Sequence, residues 1–424
     1  MSSPASASGQ MTGSALRKAT VYAMLFAISS VHLLNDAMQT VVTALFPIFE
    51  DSLKLSYAQI GWIAFTLNMT SSVLQPVVGI WSDKRPTPWM LPVGMLCSMI
   101  GMAGLAFAPN YGLLLLSVVF VGLGSAVFHP EGSRVVHLAA GGRRAFSQSI
   151  YQVGGNFGQS LGPLMTAAIF VPLGQRGAAW GMLLAAAAIA ILFRVVPWYA
   201  ARLAEHGGQA PRKSAAKSGN AAQSGAASAA GAAGKGLTIS RNVVLFAISI
   251  LLLVVFARSW YGAAIGSFYQ FYARDSYGLS IQAAQIPLFL FMIFGVAGTF
   301  AGGLLADRIG RKKMMLISIL GAVPFALALP HLPLFWVYPV MAVMGFILQS
   351  GFSVSVVYAQ ELLPGKVGMA SGLITGLAFG MGALGSVVIG NLADAHGMAY
   401  VMLLASFLPL IGLLALLLPK DRRE

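Results

Sequence analysis

His32, Asn35, Asp36 and Gln39 recur at steps of three and four residues inside an otherwise apolar run. At 3.6 residues per turn they share one face of a helix. An acid, a histidine and two amides so arranged can hold and pass a proton or line a polar cavity. They can equally hydrogen-bond one helix to another. A charge at the centre of a bilayer costs at least about 2.5–3.5 kcal/mol on insertion scales. Asp36 lies near the middle of its apolar run and is therefore a candidate proton-coupling residue, with His32 one turn before it. Asn35 and Gln39 are candidate substrate contacts.

Other chemistry-bearing residues lie in similar surroundings. His129 and Glu131 flank Pro130, and Arg134 follows Glu131 by three, close enough to pair on one face. His129 and Glu131 are candidates for a proton relay; the alternative is a structural ion pair with a histidine capping a carbonyl beside the proline. Gln148, Gln152 and Asn156 recur at intervals of four, and Arg258 lies midway along another apolar run with Tyr261 one turn on. Gln152, Asn156, Arg258 and Tyr261 are candidate substrate-binding residues. Arg258 has no acid within a turn of itself, so its counter-charge must come from another helix or from a ligand; Asp36, at similar depth, is the expected internal partner. Glu361 reads as a gate or ion-pair residue. No nucleophile–base constellation, P-loop lysine motif or pair of histidines at metal-ligand spacing occurs. The sequence therefore predicts no enzyme, no ATP and no metal.

The elements that carry these residues are membrane helices. Hydrophobic residues make up 57% of the 424 and charged residues 9%, against about 25% charged in soluble chains. About 20 apolar residues cross a bilayer. Twelve runs qualify: 21–48, 57–82, 89–108, 111–138, 144–172, 177–203, 242–272, 281–306, 313–330, 334–362, 366–393 and 398–418. A Gly/Ala/Ser/Lys stretch, 205–240, reads as a flexible linker between bundles at 21–204 and 241–419, with tails at 1–20 and 420–424. The single cysteine, Cys97, excludes an intrachain disulfide. The first run lacks a small-residue cleavage site and reads as a retained helix.

With the N-terminus in the cytoplasm, 21 of the 26 Lys and Arg fall at cytoplasmic ends or beyond, while Lys54, Arg176 and Arg274 fall outside. This asymmetry predicts both termini and the linker in the cytoplasm. It also accounts for the net charge of +14 without nucleic acid.

The turn between the eighth and ninth runs reads Gly303-Leu-Leu-Ala-Asp307-Arg308-Ile-Gly310-Arg311-Lys312-Lys313, and a weaker copy, Gly79-Ile-Trp-Ser-Asp83-Lys84-Arg85, lies 307 − 83 = 224 residues upstream. This pair resembles the loop motif of the major facilitator superfamily. The resemblance implies an all-α integral membrane protein with twelve helices in two pseudo-symmetric six-helix bundles, built around a cavity lined by the first, fourth, seventh and tenth helices. It also implies that Asp83 and Asp307 touch a helix end in the opposite half. Gly158-Gln-Ser-Leu-Gly162-Pro163 resembles the fifth-helix motif of the superfamily's drug/proton antiporters. Gly154, Gly158 and Gly162 form a ridge that permits close packing, repeated as Gly372, Gly376 and Gly380 in the eleventh run. Gating roles are thus expected for Asp83, Arg134, Gly158, Gly162, Pro163, Asp307, Arg308, Arg311 and Glu361.

Five segments resemble one branch more closely: His32-Leu-Leu-Asn35-Asp36, Gln75-Pro-Val-Val-Gly79, Phe128-His129-Pro130-Glu131-Gly-Ser-Arg134, Gln152 through Pro163, and Tyr358-Ala-Gln-Glu361-Leu-Leu-Pro364-Gly365. They are similar to the bacterial fosmidomycin-resistance efflux transporters. That likeness implies proton-coupled export of a small phosphonate drug from a bacterial inner membrane by a monomer, with protons, drug and membrane lipid as its partners. Import of an organic anion by proton symport, or a membrane sensor that moves nothing, are the other readings of the same residues.

Overall fold

The computed structural model describes residues 20–85, 87–141, 144–207, 241–362 and 367–419; of the side chains inside these ranges, Asp83 and Asp307 are among those outside the description. The proposed tails and most of the proposed linker lie outside the described residues, although helix continues through Gly207. Every regular element among the described residues is helical. The fold is the twelve-pass helical architecture that the apolar runs predict. Eight stretches stand out as long and apolar enough to cross a membrane, one of which, Ile150–Glu205, spans 56 residues and holds two passes. The first run is less apolar because His32, Asn35, Asp36 and Gln39 interrupt it.

The helices used below are α1 (Tyr22–Ala44), α2 (Phe46–Leu53), α3 (Tyr57–Lys84), α4 (Met90–Phe107), α5 (Tyr111–Ala139), α6 (Arg144–Ser160) and α7 (Trp180–Gly207). They continue as α8 (Arg241–Ala263), α9 (Tyr269–Tyr277), α10 (Ile281–Ile309), α11 (Arg311–Leu320), α12 (Leu334–Gln349), α13 (Phe352–Leu362) and α14 (Val367–His396). Several runs are segmented. The fifth breaks after Ser160, resumes at Gly162–Met165 with Pro163 in its first turn, and passes through a π-turn at Thr166–Phe170. The seventh carries a π-turn at Ala264–Phe268 and extends to Tyr277, five residues past its expected end.

Local chemistry fixes the helix ends. Ser56 and Gln59 form a reciprocal capping box at the start of α3, satisfying two of the amides left free there. The Val21 amide donates to the Ala139 carbonyl at 2.8 Å, tying the start of α1 to the end of α5. The glycine ridge of α6 lies on α1. A Cβ on Gly154 or Gly158 would strike the Ser29 or Leu33 carbonyl, and one on Gly162 would strike Thr40. Of the expected copy of this ridge, Gly380 has open space around it, while the surroundings of Gly372 and Gly376 lie outside the description.

The two halves are bonded together at one end. The Asp394 carboxylate accepts from the Tyr57 and Ala58 amides, at 2.8 and 2.9 Å. Arg274 pairs with Glu50 at 2.8 Å and Asp51 at 3.4 Å. The Tyr57 hydroxyl reaches Asp275 at 3.3 Å, and Gln270 donates to the Thr43 carbonyl at 3.1 Å. These bonds close the end that carries Lys54 and Arg274.

Candidate functional site

Within the first half, α1, α5 and α6 converge on Asp36. The ridge contact of α6 on α1 brings Gly155 against His32 and Asp36, and α5 delivers His129. Asp36 is 3% exposed. Its Oδ1 accepts from Asn35 Nδ2 at 2.9 Å and Gln39 Nε2 at 3.4 Å, and its Oδ2 accepts from Gln159 Nε2 at 2.9 Å. Three amides thus hold it as an ionised acceptor.

Two imidazoles complete the cluster. His32 Nε2 lies 3.5 Å from Asp36 Oδ2, and His129 Nε2 lies 3.4 Å from Oδ1. Both rings have their other nitrogen fixed. His32 Nδ1 is 2.7 Å from the Tyr151 carbonyl, and His129 Nδ1 is 3.0 Å from the Ser125 carbonyl. His129 Nδ1 has both the Ser125 carbonyl and, at 3.1 Å, the Ser125 hydroxyl in reach; a carbonyl oxygen only accepts, so His32 Nδ1, facing a carbonyl alone, carries a proton and donates. In the neutral ring the Nε2 lone pair then faces the carboxylate. His32 Nε2 is buried without a hydrogen-bond partner. The His32 lone pair, the His129 ring and the carboxylate, turned towards one another, form a socket for positive charge. The ring of His32 stacks on Tyr151 with centroids 3.9 Å apart, which fixes its orientation. His129 is the less buried member, with 26% of its side chain exposed.

Of the expected site residues, His32, Asn35, Asp36, Gln39 and His129 come together. Gln159 and Tyr151 join them without having been anticipated as site residues; Gln159 follows Asn156 by three residues, a helical step that was the one signal that could have found it. Gln152 is exposed and Asn156 half-buried on the same helix.

Glu131 does not join the cluster. It is fully buried and accepts from the Tyr199 hydroxyl at 2.8 Å and from Ser82 Oγ; Arg134 lies 3.7 Å away and donates to the Ser82 carbonyl at 2.8 Å. This network ties α3, α5 and α7. Its geometry is that of the structural ion pair, the alternative to a relay through Glu131.

The expected Asp36–Arg258 pair is not formed. The Arg258 guanidinium is turned into the second half, donating Nη2 to Ser318 Oγ at 3.0 Å and to the Leu348 carbonyl. Depth along the helix matched Asp36, but the direction around the helix axis did not. Tyr261 is buried as well, its hydroxyl 3.0 Å from Met344 Sδ. Arg311 pairs with Glu361, and Arg308 is exposed. The sequence offers no pair of histidines at metal-ligand spacing, yet the fold brings ligand atoms of His32, Asp36 and His129 within 4.8 Å of one another. The two histidines are 129 − 32 = 97 residues apart, so no local spacing reveals them.

The family model for the Major Facilitator Superfamily matches residues 28–384 and 251–424. The chain belongs to that superfamily. It is 51% identical over 404 residues to the uncharacterised MFS-type transporter YfnC of Bacillus subtilis, covering 95% of this chain and 94% of that protein. It is 45% identical over 405 residues to the fosmidomycin resistance protein of Escherichia coli, covering 96% and 95%. Among solved structures, a point mutant of the nucleoside transporter NupG superimposes with a TM-score of 0.72 at 15% identity, over 94% of this chain and all of that one. An inward-facing bacterial homologue of the lysosomal transporter Spinster gives 0.70 at 16% identity, over 93% and 95%. This superfamily member is accordingly a multi-pass membrane transporter.

Proposed function

We propose that the chain exports small drugs, fosmidomycin-like phosphonates among them, in exchange for protons across a bacterial cytoplasmic membrane. The observation that carries this reading is the buried Asp36 carboxylate facing two oriented imidazoles, in a chain 45% identical to a fosmidomycin resistance protein. On the distribution of basic residues the bonded end is the outer one, so the arrangement described is closed outside. A proton arriving at either Nε2 turns the opposed lone pair and carboxylate into a charge-assisted hydrogen bond. His129, the less buried of the two, admits that proton. Antiport follows if the carboxylate is satisfied by a proton in one passage and by a drug O–H or N–H donor in the other. Gln39, Gln152, Asn156 and Gln159 offer further polar contacts to the drug.

Energised everted vesicles test the reading. Export predicts accumulation of fosmidomycin in the lumen together with lumen alkalinisation, both lost in Asp36→Asn at matched membrane levels. Uptake of an organic anion or nutrient into intact energised cells would instead favour the importer, and no flux of any solute across an anionic and a cationic panel in either preparation would favour the sensor.

A further inference from the structure

The socket around Asp36 has the donor set and spacing of a transition-metal site. We propose that His32 Nε2, Asp36 and His129 Nε2 bind one divalent cation of borderline softness, of the Zn2+ class. Bonds of about 2.0–2.1 Å from a tetrahedral zinc to nitrogen and oxygen place neighbouring ligand atoms about 3.3–3.4 Å apart. His32 Nε2 lies 3.5 Å from Asp36 Oδ2 and His129 Nε2 lies 3.4 Å from the other oxygen, Oδ1, and one ligand atom from each of the three residues lies within 4.8 Å of the other two. Metal-ligating histidines usually donate their other N–H to a carbonyl or carboxylate, which fixes the tautomer. His32 does this through the Tyr151 carbonyl, and His129 Nδ1 lies 3.0 Å from the Ser125 carbonyl with the Ser125 hydroxyl at 3.1 Å. The second, independent sign is His32 Nε2. It is buried, aimed at the socket and has no hydrogen-bond partner, an arrangement that calls for an electrophile.

Asp36 is oriented as a ligand should be, by the amides of Asn35, Gln39 and Gln159. Three protein ligands leave the fourth tetrahedral position for water, and partly exposed His129 marks the side from which it enters. Two imidazoles and one carboxylate suit zinc, cobalt or nickel, whereas Mg2+ and Ca2+ prefer shells of six or more oxygens. A bound cation would pin α1 to α5 and hold the space into which the coupling proton must come. Metal binding goes beyond the drug-export reading and stands or falls without it.

The test uses full-length purified protein in detergent, freed of any histidine tag. Zn2+ binding is followed by calorimetry and by competition with a chromophoric chelator, and Co2+ is added separately to read its visible ligand-field bands. One Zn2+ per chain is expected, with Mg2+ unable to compete at a hundredfold excess and Co2+ giving the intense bands of a tetrahedral site. His129→Gln, at a partly exposed position, should fold normally and weaken Zn2+ binding at least tenfold, with loss of the Co2+ bands; His32→Gln should do the same. Absence of stoichiometric binding overturns the proposal. So does binding that survives both substitutions, which would place the metal on surface histidines. Drug flux is not needed for any of these readings, so their failure and the failure of the export reading are separable.

Discussion

The carboxylate of Asp394, near the end of α14, sits on the first turn of α3 in the opposite half and accepts hydrogen bonds from the Tyr57 and Ala58 amides. Those amides have no partner within their own helix, and an anion there also meets the positive end of the helix dipole. Gly390 makes the approach possible, since a Cβ there would strike the Tyr57 carbonyl. The contact exists only while this end is closed. Acidic capping of a helix start contributes about 0.5–2 kcal/mol. Asp394→Ala should therefore raise the ratio of open to closed molecules at this end by about 2- to 30-fold. Spin-label distances between α3 and α14 would measure it. Distances unchanged from those of the parent protein would show that the contact does not hold the end shut.

The sequence contained this latch in a form that was easy to pass over. Gly390-Asn-Leu-Ala-Asp394-Ala-His-Gly397 repeats the spacing of Gly303, Asp307 and Gly310 without the basic residues. Attention goes to the basic copies because Arg and Lys mark topology. The helix-end role implied for Asp83 and Asp307 falls on side chains outside the description, while Asp394 performs the equivalent contact at the other end. The twelve apolar runs were legible because bilayer thickness imposes their length, and α1 showed its polar face because helical periodicity is local. The approach of His129 to Asp36 was not legible, because it depends on the crossing of α1 and α5. Arg258 failed as a partner of Asp36 for the same reason: sequence gives depth along a helix, but packing sets which way each face turns.

Glu50 makes the same end sensitive to pH. It lies just beyond the first apolar run, where burial raises its carboxyl above the usual range, partly offset by Arg274, with Asp51 and Asp275 adding to the rise. The neighbouring Tyr57 hydroxyl bonds to Asp275. Opening this end returns Glu50 to water and to an ordinary carboxylate pKa. The closed form then binds the proton more tightly, so protonation favours closure. The sign is that of a raised group: the closing contribution is fully present below the ordinary carboxylate value and fades as pH rises through the raised one. Acidifying this face should increase the closed population across that window, and Glu50→Gln should flatten the response. Single-molecule distance measurements against pH would check it; the opposite slope would show that loss of the Arg274 pair dominates.

Arg258 is a buried cation whose Nη1 has no hydrogen-bond partner, and its bonded partners are neutral oxygens. An always-charged guanidinium in such a place attracts anions. Glutamine can still donate to Ser318 and the Leu348 carbonyl but removes the charge. Arg258→Gln should keep normal membrane levels and lose phosphonate transport about tenfold or more, the equivalent of at least about 1.4 kcal/mol of recognition. Transport of a neutral drug should be unaffected. Equal loss for neutral and anionic drugs would assign Arg258 to the architecture of the second half.

Gly155 sets the socket by lacking a side chain. A Cβ there would collide with the His32 ring and lie 2.9 Å from Asp36 Oδ2. The ring cannot retreat easily, because it stacks on Tyr151 and donates Nδ1–H to the Tyr151 carbonyl on the same helix. The remaining escape is separation of α1 from α6, which the neighbouring contacts of Gly154 and Gly158 resist. Overpacking of this kind costs about 1–3 kcal/mol. Gly155→Ala should lower the thermal stability of the purified protein and sharply reduce drug-driven proton movement, since the socket is displaced as well as strained. Gly262→Ala is the control: Gly262 lies in α8 with open space around it, and the helix should accept alanine there without loss of stability. If Gly155→Ala matched the parent protein in both stability and proton movement, the cluster would not depend on the packing described for it.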